Sequence, residues 1–167
     1  KIVVLERNSV GTDIEVSCLE QLGEVTYYPN TVTVEEVKER IKDADIIVAN
    51  KAPLREEALK DAPNVKQICE FATGFDNIDI NYCRTRGIKV CNVVDYSTSM
   101  VAQHTFTLAL SLSQKLPHYD QYVKSGAYSA QDRFSNFDLP FNELDGKTWG
   151  IVGMGNIGKR VARIASA

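Results

Sequence analysis

Five short apolar runs, at residues 2–5, 25–28, 46–49, 65–71 and 88–94, recur through the first part of this chain with polar stretches between them. Apolar runs without polar alternation are what strands buried on both faces look like. The intervening spacing predicts helices. One covers 13–22, with Ile14, Cys18 and Leu22 on one side and Gly23 as its stop. A second is opened by the capping box Thr33-Val34-Glu35-Glu36 and runs to about Lys42. Two more cover 55–60 and 80–86, the last stopped by Gly87. Strands joined by helical crossovers form a parallel sheet. Right-handed crossovers then favour a doubly wound, flavodoxin-like α/β domain.

The pattern changes near Thr98. Val101, Thr105, Leu108 and Leu112 recur at helical spacing, so 99–115 reads as one long helix. Phe106, Leu108, Leu110 and Leu112 cover more than one face of it, which predicts burial in an interdomain or dimer contact. A second helix follows from Pro117 to about Lys124, and 128–142 reads as loop. The expected organisation is a domain at 1–98 and a second, incomplete one at 99–167.

That second part ends in Trp149-Gly150-Ile151-Val152-Gly153-Met154-Gly155-Asn156-Ile157-Gly158, an apolar strand running into a glycine turn that opens a helix. Gly153 would permit the tight turn, Gly155 the close approach of a pyrophosphate, and Gly158 close packing of helix on strand. The helix N-terminus, with its free N–H groups and dipole, favours the anion. The alternative is a glycine-rich turn with no ligand; the strand before and the helix after favour the dinucleotide. The acidic residue that separates NAD from NADP lies about 20 residues beyond such a motif, past Ala167. A lone strand at 149–152 would lack parallel neighbours, so this chain is expected to be a section of a longer polypeptide.

Bulk properties narrow the partners. With a formal charge of −3 and no basic block, the chain does not suit nucleic acid. No apolar run approaches the roughly 20 residues of a membrane span. Lys1-Ile2-Val3-Val4-Leu5 reads as a strand rather than a signal peptide. Cys18, Cys69, Cys83 and Cys91 form no C-x-x-C pair and read as reduced, buried thiols, without metal, in a cytoplasmic protein. His104 and His118 read as structural rather than catalytic.

A second candidate site is Glu70-Phe71-Ala72-Thr73-Gly74-Phe75-Asp76-Asn77-Ile78-Asp79, directly after a buried run. Ligands of open α/β sheets sit outside the carboxyl ends of strands, and free amides around Gly74 could hold a carboxylate. Spacing alone favours a plainer reading, a strand-to-helix turn with Asp76 or Asn77 capping the helix.

Three blocks, taken in order, carry a family resemblance. They are Ala72-Thr73-Gly74-Phe75-Asp76-Asn77-Ile78-Asp79, Tyr96-Ser97-Thr98-Ser99-Met100-Val101-Ala102-Gln103-His104-Thr105, and Glu143-Leu144-Asp145-Gly146-Lys147-Thr148 with the 153–158 turn. Together they resemble the D-isomer-specific 2-hydroxyacid dehydrogenases over essentially the whole chain. The resemblance implies a flavodoxin-like substrate domain and a Rossmann domain with the active site in the cleft between them. It also implies hydride transfer between NAD(H) and a small 2-oxo or D-2-hydroxy acid, and a homodimer formed through the 99–115 helix. By the same likeness, the amides of Thr73 and Gly74 bind the substrate carboxylate and Tyr96 lines the substrate pocket. Thr73 also lies near the cofactor, Val101 contacts its nicotinamide side, and Asn156 and Ile157 contact the pyrophosphate, with Gly153, Gly155 and Gly158 completing the cofactor-binding turn. The family's catalytic arginine, glutamate and histidine are expected after Ala167, so none is assigned here. Gln103 stands where many relatives have glutamate, and Phe75 where valine is common. A non-catalytic NAD(H)-sensing corepressor on the same scaffold is the alternative.

Overall fold

The apolar runs pair as a five-stranded parallel sheet in the computed structural model, which describes residues 1–167. The strands are β1 (Ile2–Val4), β2 (Val25–Tyr27), β3 (Ile46–Ala49), β4 (Gln67–Glu70) and β5 (Lys89–Cys91), in the order β2-β1-β3-β4-β5. Val3 lies opposite Ile47, Ile47 opposite Ile68, and Ile68 opposite Val90, so one apolar row crosses four strands. The chain divides into two compact units, Lys1–Val94 and Asp95–Ala167, and the whole sheet belongs to the first.

Three helices lie along the first unit: α1 (Val34–Ile41), α2 (Glu56–Leu59) and α3 (Ile80–Arg86). The expected capping box opens α1: Glu36 N–H donates to the Thr33 hydroxyl at 3.2 Å, and Thr33 N–H to the Glu36 carboxylate at 3.1 Å. Such a cap contributes about 1 kcal/mol. Asp79, rather than Asp76 or Asn77, caps α3 by accepting from Tyr82 N–H at 2.9 Å. Gly87 ends α3 in the left-handed conformation at φ +70°. Val37, Ile41, Ala58, Leu59 and Cys83 bury these helices against Val3, Leu5, Ile47 and Ile68 in the main core.

The expected helix at 13–22 is replaced by a 3-10 turn, Ser17–Gln21. Arg7 is the physical reason. Its guanidinium donates to the carbonyls of Val10, Gly11 and Ile14, which fixes the preceding segment as irregular chain. Ile14 and Leu22, which suggested a buried face, are both exposed. The second sheet face therefore carries only Leu19 of that turn over Ile2, Val4 and Val48, and Tyr27, Cys69 and Phe71 stay partly open. Of the four cysteines, all unpaired, only Cys83 is buried; Cys69 is intermediate, and Cys18 and Cys91 are exposed, against the expectation of buried thiols.

In the second unit, α4 (Thr98–Ser113) and α5 (Leu116–Lys124) are separated by Lys115, whose left-handed φ of +54° breaks what reads in sequence as helix to 115. A short helix, α6 (Ala127–Ala130), stands in the segment expected to be loop. The Trp149–Val152 stretch is not a strand: it pairs with no neighbour, and Val152 is fully exposed. A strand exists only through its ladder, and every strand of the sheet lies in the other unit. The final helix, α7 (Asn156–Ala165), packs on α4 and buries Val161. No helix is long and apolar enough to cross a membrane.

Candidate functional site

A sheet of order 2-1-3-4-5 reverses direction between β1 and β3, and open α/β folds bind ligands outside the carboxyl ends of strands there. In this protein a side chain fills that place. Glu6, two residues after β1 and 7% exposed, accepts from three consecutive amides after β3: Asn50 at 2.7 Å, Lys51 at 2.8 Å and Ala52 at 2.9 Å. Consecutive N–H groups form a natural anion cradle, and its anion is an internal carboxylate.

The open amides lie farther along the same edge, after β4. Residues 72–79 are held there from two sides. Val93 N–H donates to the Ala72 carbonyl at 3.0 Å, the Thr73 hydroxyl to the Val93 carbonyl at 2.7 Å, and Asn92 Nδ2 to the Thr73 carbonyl at 2.8 Å. On the other side Leu54 N–H donates to the Asn77 carbonyl at 3.0 Å, Asp79 N–H to the Leu54 carbonyl at 2.9 Å, and Arg55 to the Asp76 carbonyl at 2.5 Å. The amides of Thr73 and Gly74 donate to no protein acceptor, and both residues are exposed. Gly74 does not adopt the unusual backbone angle its identity suggests: its φ is not positive, and a Cβ there would meet only Asp76 Oδ1 at 3.4 Å.

Beneath this loop lie two polar side chains, Glu70, to which the sequence assigned no role of its own, and Asn77, which it offered only as a helix cap. Glu70, the last residue of β4, is 2% exposed. Asn77 Nδ2 donates to the Ala52 carbonyl at 3.1 Å and to Glu70 Oε2 at 3.4 Å, while Glu70 Oε1 and Asn77 Oδ1 have no partner. Burial chiefly, with the negative charges of Glu6 and Asp76, pushes the Glu70 carboxyl up to about 7; the Asn77 hydrogen bond and Lys51 oppose this. The available signal was an acidic residue ending an apolar strand run, at Glu6 and again at Glu70.

In the second unit, the three turn glycines differ in what they require. Gly153 has φ +98°, and a Cβ on Gly158 would fall 2.1 Å from the Gly153 carbonyl oxygen. The protein demands glycine at both. Gly155 has an ordinary φ of −71°, and a Cβ there would meet nothing within 4 Å. No internal contact explains its glycine. It is the N-cap of α7, with no side chain capping the helix, and the amides of Asn156, Ile157 and Gly158 in its first turn have no protein acceptor. These residues fit a dinucleotide pyrophosphate: exposed amides at a helix start, with no Cβ over them. Asn156 Nδ2 reaches Asp95 Oδ1 at 3.4 Å, and Asp95, at φ +62°, also accepts from the Thr98 hydroxyl at the start of α4.

Tyr96 is 61% exposed and Val101 40%, both near that end of α4. Thr73 and Gly74 thus lie together on the first unit, and Tyr96, Val101, Gly153, Gly155, Asn156, Ile157 and Gly158 on the second. His104 and His118 are exposed, His118 edge-on to Tyr119 at 5.1 Å.

Residues 2–161 match the family described as D-isomer specific 2-hydroxyacid dehydrogenase, catalytic domain, and the chain belongs to that family. It is 37% identical over 170 residues to a hydroxypyruvate reductase of Blautia hydrogenotrophica, covering all of this chain and 53% of that protein. It is 35% identical over 167 residues to a glycerate dehydrogenase of Methylorubrum extorquens, covering 52% of the latter. Among solved structures, a D-lactate dehydrogenase from Aquifex aeolicus, complexed with NAD and lactic acid, superposes with a TM-score of 0.80 at 29% identity, over 99% of this chain and 48% of that one. The chain spans about half the length of these relatives.

Proposed function

We propose that this chain is the acid-binding unit and the first part of the cofactor unit of an NAD-dependent oxidoreductase, one that moves a hydride between NAD(H) and a small 2-oxo or D-2-hydroxy acid. The observation that carries this is the pair of open amide sets, at Thr73–Gly74 in a loop that is otherwise hydrogen-bonded, and at 156–158 at the start of α7. An organic carboxylate suits the first set and a pyrophosphate the second.

Residues 1–98 form the substrate domain in this reading, and residues 99–167 begin the dinucleotide domain. Thr73 and Gly74 take the carboxylate through their amides, and the Thr73 hydroxyl, committed to Val93, holds that geometry. Tyr96 lines the substrate side, and Thr73 and Val101 the nicotinamide side. Gly153 and Gly158 shape the turn that leaves Gly155, Asn156 and Ile157 against the pyrophosphate. When bound, NAD supplies the hydride chemistry, and the protein supplies binding and orientation. NADP remains the alternative nucleotide. The family relationship and the relatives' own names support this reading.

Met100, Leu108 and Leu112 stand exposed on α4, and an exposed apolar stripe of that kind supports a homodimer built on this helix. The four unpaired cysteines support a cytoplasmic location. The test is loss of reduced-nicotinamide absorbance when the complete protein is mixed with NADH and glyoxylate, hydroxypyruvate or pyruvate. Turnover of one of these is expected; no turnover of any would reject the enzyme in favour of an NAD(H)-sensing protein.

A further inference from the structure

Two buried oxygens beneath the acid-binding loop lack a hydrogen-bond donor, and they belong to residues already in contact. The Ala52 carbonyl can only accept, so the amide nitrogen of Asn77 must face it. The second N–H of that nitrogen points to Glu70 Oε2 at 3.4 Å. This leaves Asn77 Oδ1 and Glu70 Oε1 as the two remaining members of the same pair of head groups, both buried and both without a donor. Two acceptors cannot satisfy each other. One proton would answer both: on Oε1 it would turn that oxygen into a donor, and a bond from it to Oδ1 would close the eight-membered ring of a carboxylic acid–amide pair.

We propose that Glu70 and Asn77 form such a pair, with Glu70 as a neutral acid, and that the pair positions residues 72–77 so that the Thr73 and Gly74 amides stay aligned. Its effect on substrate rests on the function proposed above; the pair itself does not. Asn77 is where the pair meets the loop framework, since its carbonyl accepts from Leu54 and its neighbour Asp76 is held by Arg55. The groups facing Glu70 are Glu6 after β1, Lys51 after β3, and Asp76 in the loop. On β5, Cys91 stands opposite Cys69, and Asn92 follows it. Two of the three charged groups are negative, and only Lys51 favours the ionised acid. Ionisation would set a carboxylate oxygen against Asn77 Oδ1 and open the ring. Glutamine at 70 offers the same ring with an N–H in place of the O–H, at every pH.

The experiment is amide exchange on the complete protein and on E70Q across the neutral range, each rate corrected for intrinsic pH dependence. The probes are the bonded amides of Leu54, Ile78 and Val93 that frame the loop. Wild-type protection there should fall about fivefold to tenfold as pH rises through neutrality, the size of one buried hydrogen bond. The E70Q protein should show no such fall. In parallel, KM for a 2-oxo acid should rise with pH in the wild type while kcat follows its own profile, and KM should stay level in E70Q. Equal pH dependence in the two proteins, or a flat wild-type profile, overturns the pair. Failure of every 2-oxo acid to turn over removes the substrate reading instead, and the exchange data still decide the pair.

Discussion

The carbonyl oxygen of Gly153 occupies the space that any side chain on Gly158 would need: an ideal Cβ at 158 would lie 2.1 Å from it. Gly155, three residues earlier, faces open space. The turn thus contains one glycine that the fold needs for close packing and one that no internal contact requires.

The corresponding substitutions should separate. Gly158→Ala forces backbone apart at the start of α7 and should cost about 3 kcal/mol or more, read as a lower denaturation midpoint. Gly155→Val keeps an accessible backbone angle and should change stability by less than about 1 kcal/mol. It should weaken NADH binding at least about tenfold, or about 1.4 kcal/mol. Equal losses of stability and binding in Gly155→Val would assign that glycine to packing.

Glu6 should be a stability residue with no direct part in binding. Glu6→Ala leaves the buried Ala52 amide and the part-buried amides of Asn50 and Lys51 without their acceptor, at a cost of about 2 kcal/mol or more. Chemical denaturation measures this. A loss below about 1 kcal/mol would show that the cradle is filled some other way.

Glu70 should make stability fall between acid and neutral pH. Its folded-state value, about 7, is raised above the ordinary 4.5, so its contribution is fully present below 4.5 and is lost as pH rises through about 7. The difference corresponds to about 3 kcal/mol across that window. The E70Q protein should lack that slope, and denaturation midpoints at several pH values would show whether it does.

The sheet was legible because its strands are uninterrupted apolar runs, and the ladder Val3–Ile47–Ile68–Val90 uses their centres. Strand ends were not, since Asn92 and Val93 leave the ladder to hold Ala72 and Thr73, and periodicity does not report that. The segment 13–22 misled because Ile14, Cys18 and Leu22 have helical spacing without a core to meet, and Arg7 takes the Ile14 carbonyl together with those of Val10 and Gly11 just before the segment. Trp149–Val152 has the composition of a strand, but pairing is a property of neighbours. The candidate amides were legible through the motif around Thr73 and Gly74. The support beneath them was not, because single acidic residues at strand ends carry no spacing signal.

The most direct test of the account is a crystal structure of the complete protein with NAD and a 2-oxo acid analogue. The account predicts the pyrophosphate on the amides of Asn156, Ile157 and Gly158, and the carboxylate on those of Thr73 and Gly74. A dinucleotide bound away from the α7 N-terminus, or a carboxylate held without the Thr73 and Gly74 amides, would contradict it.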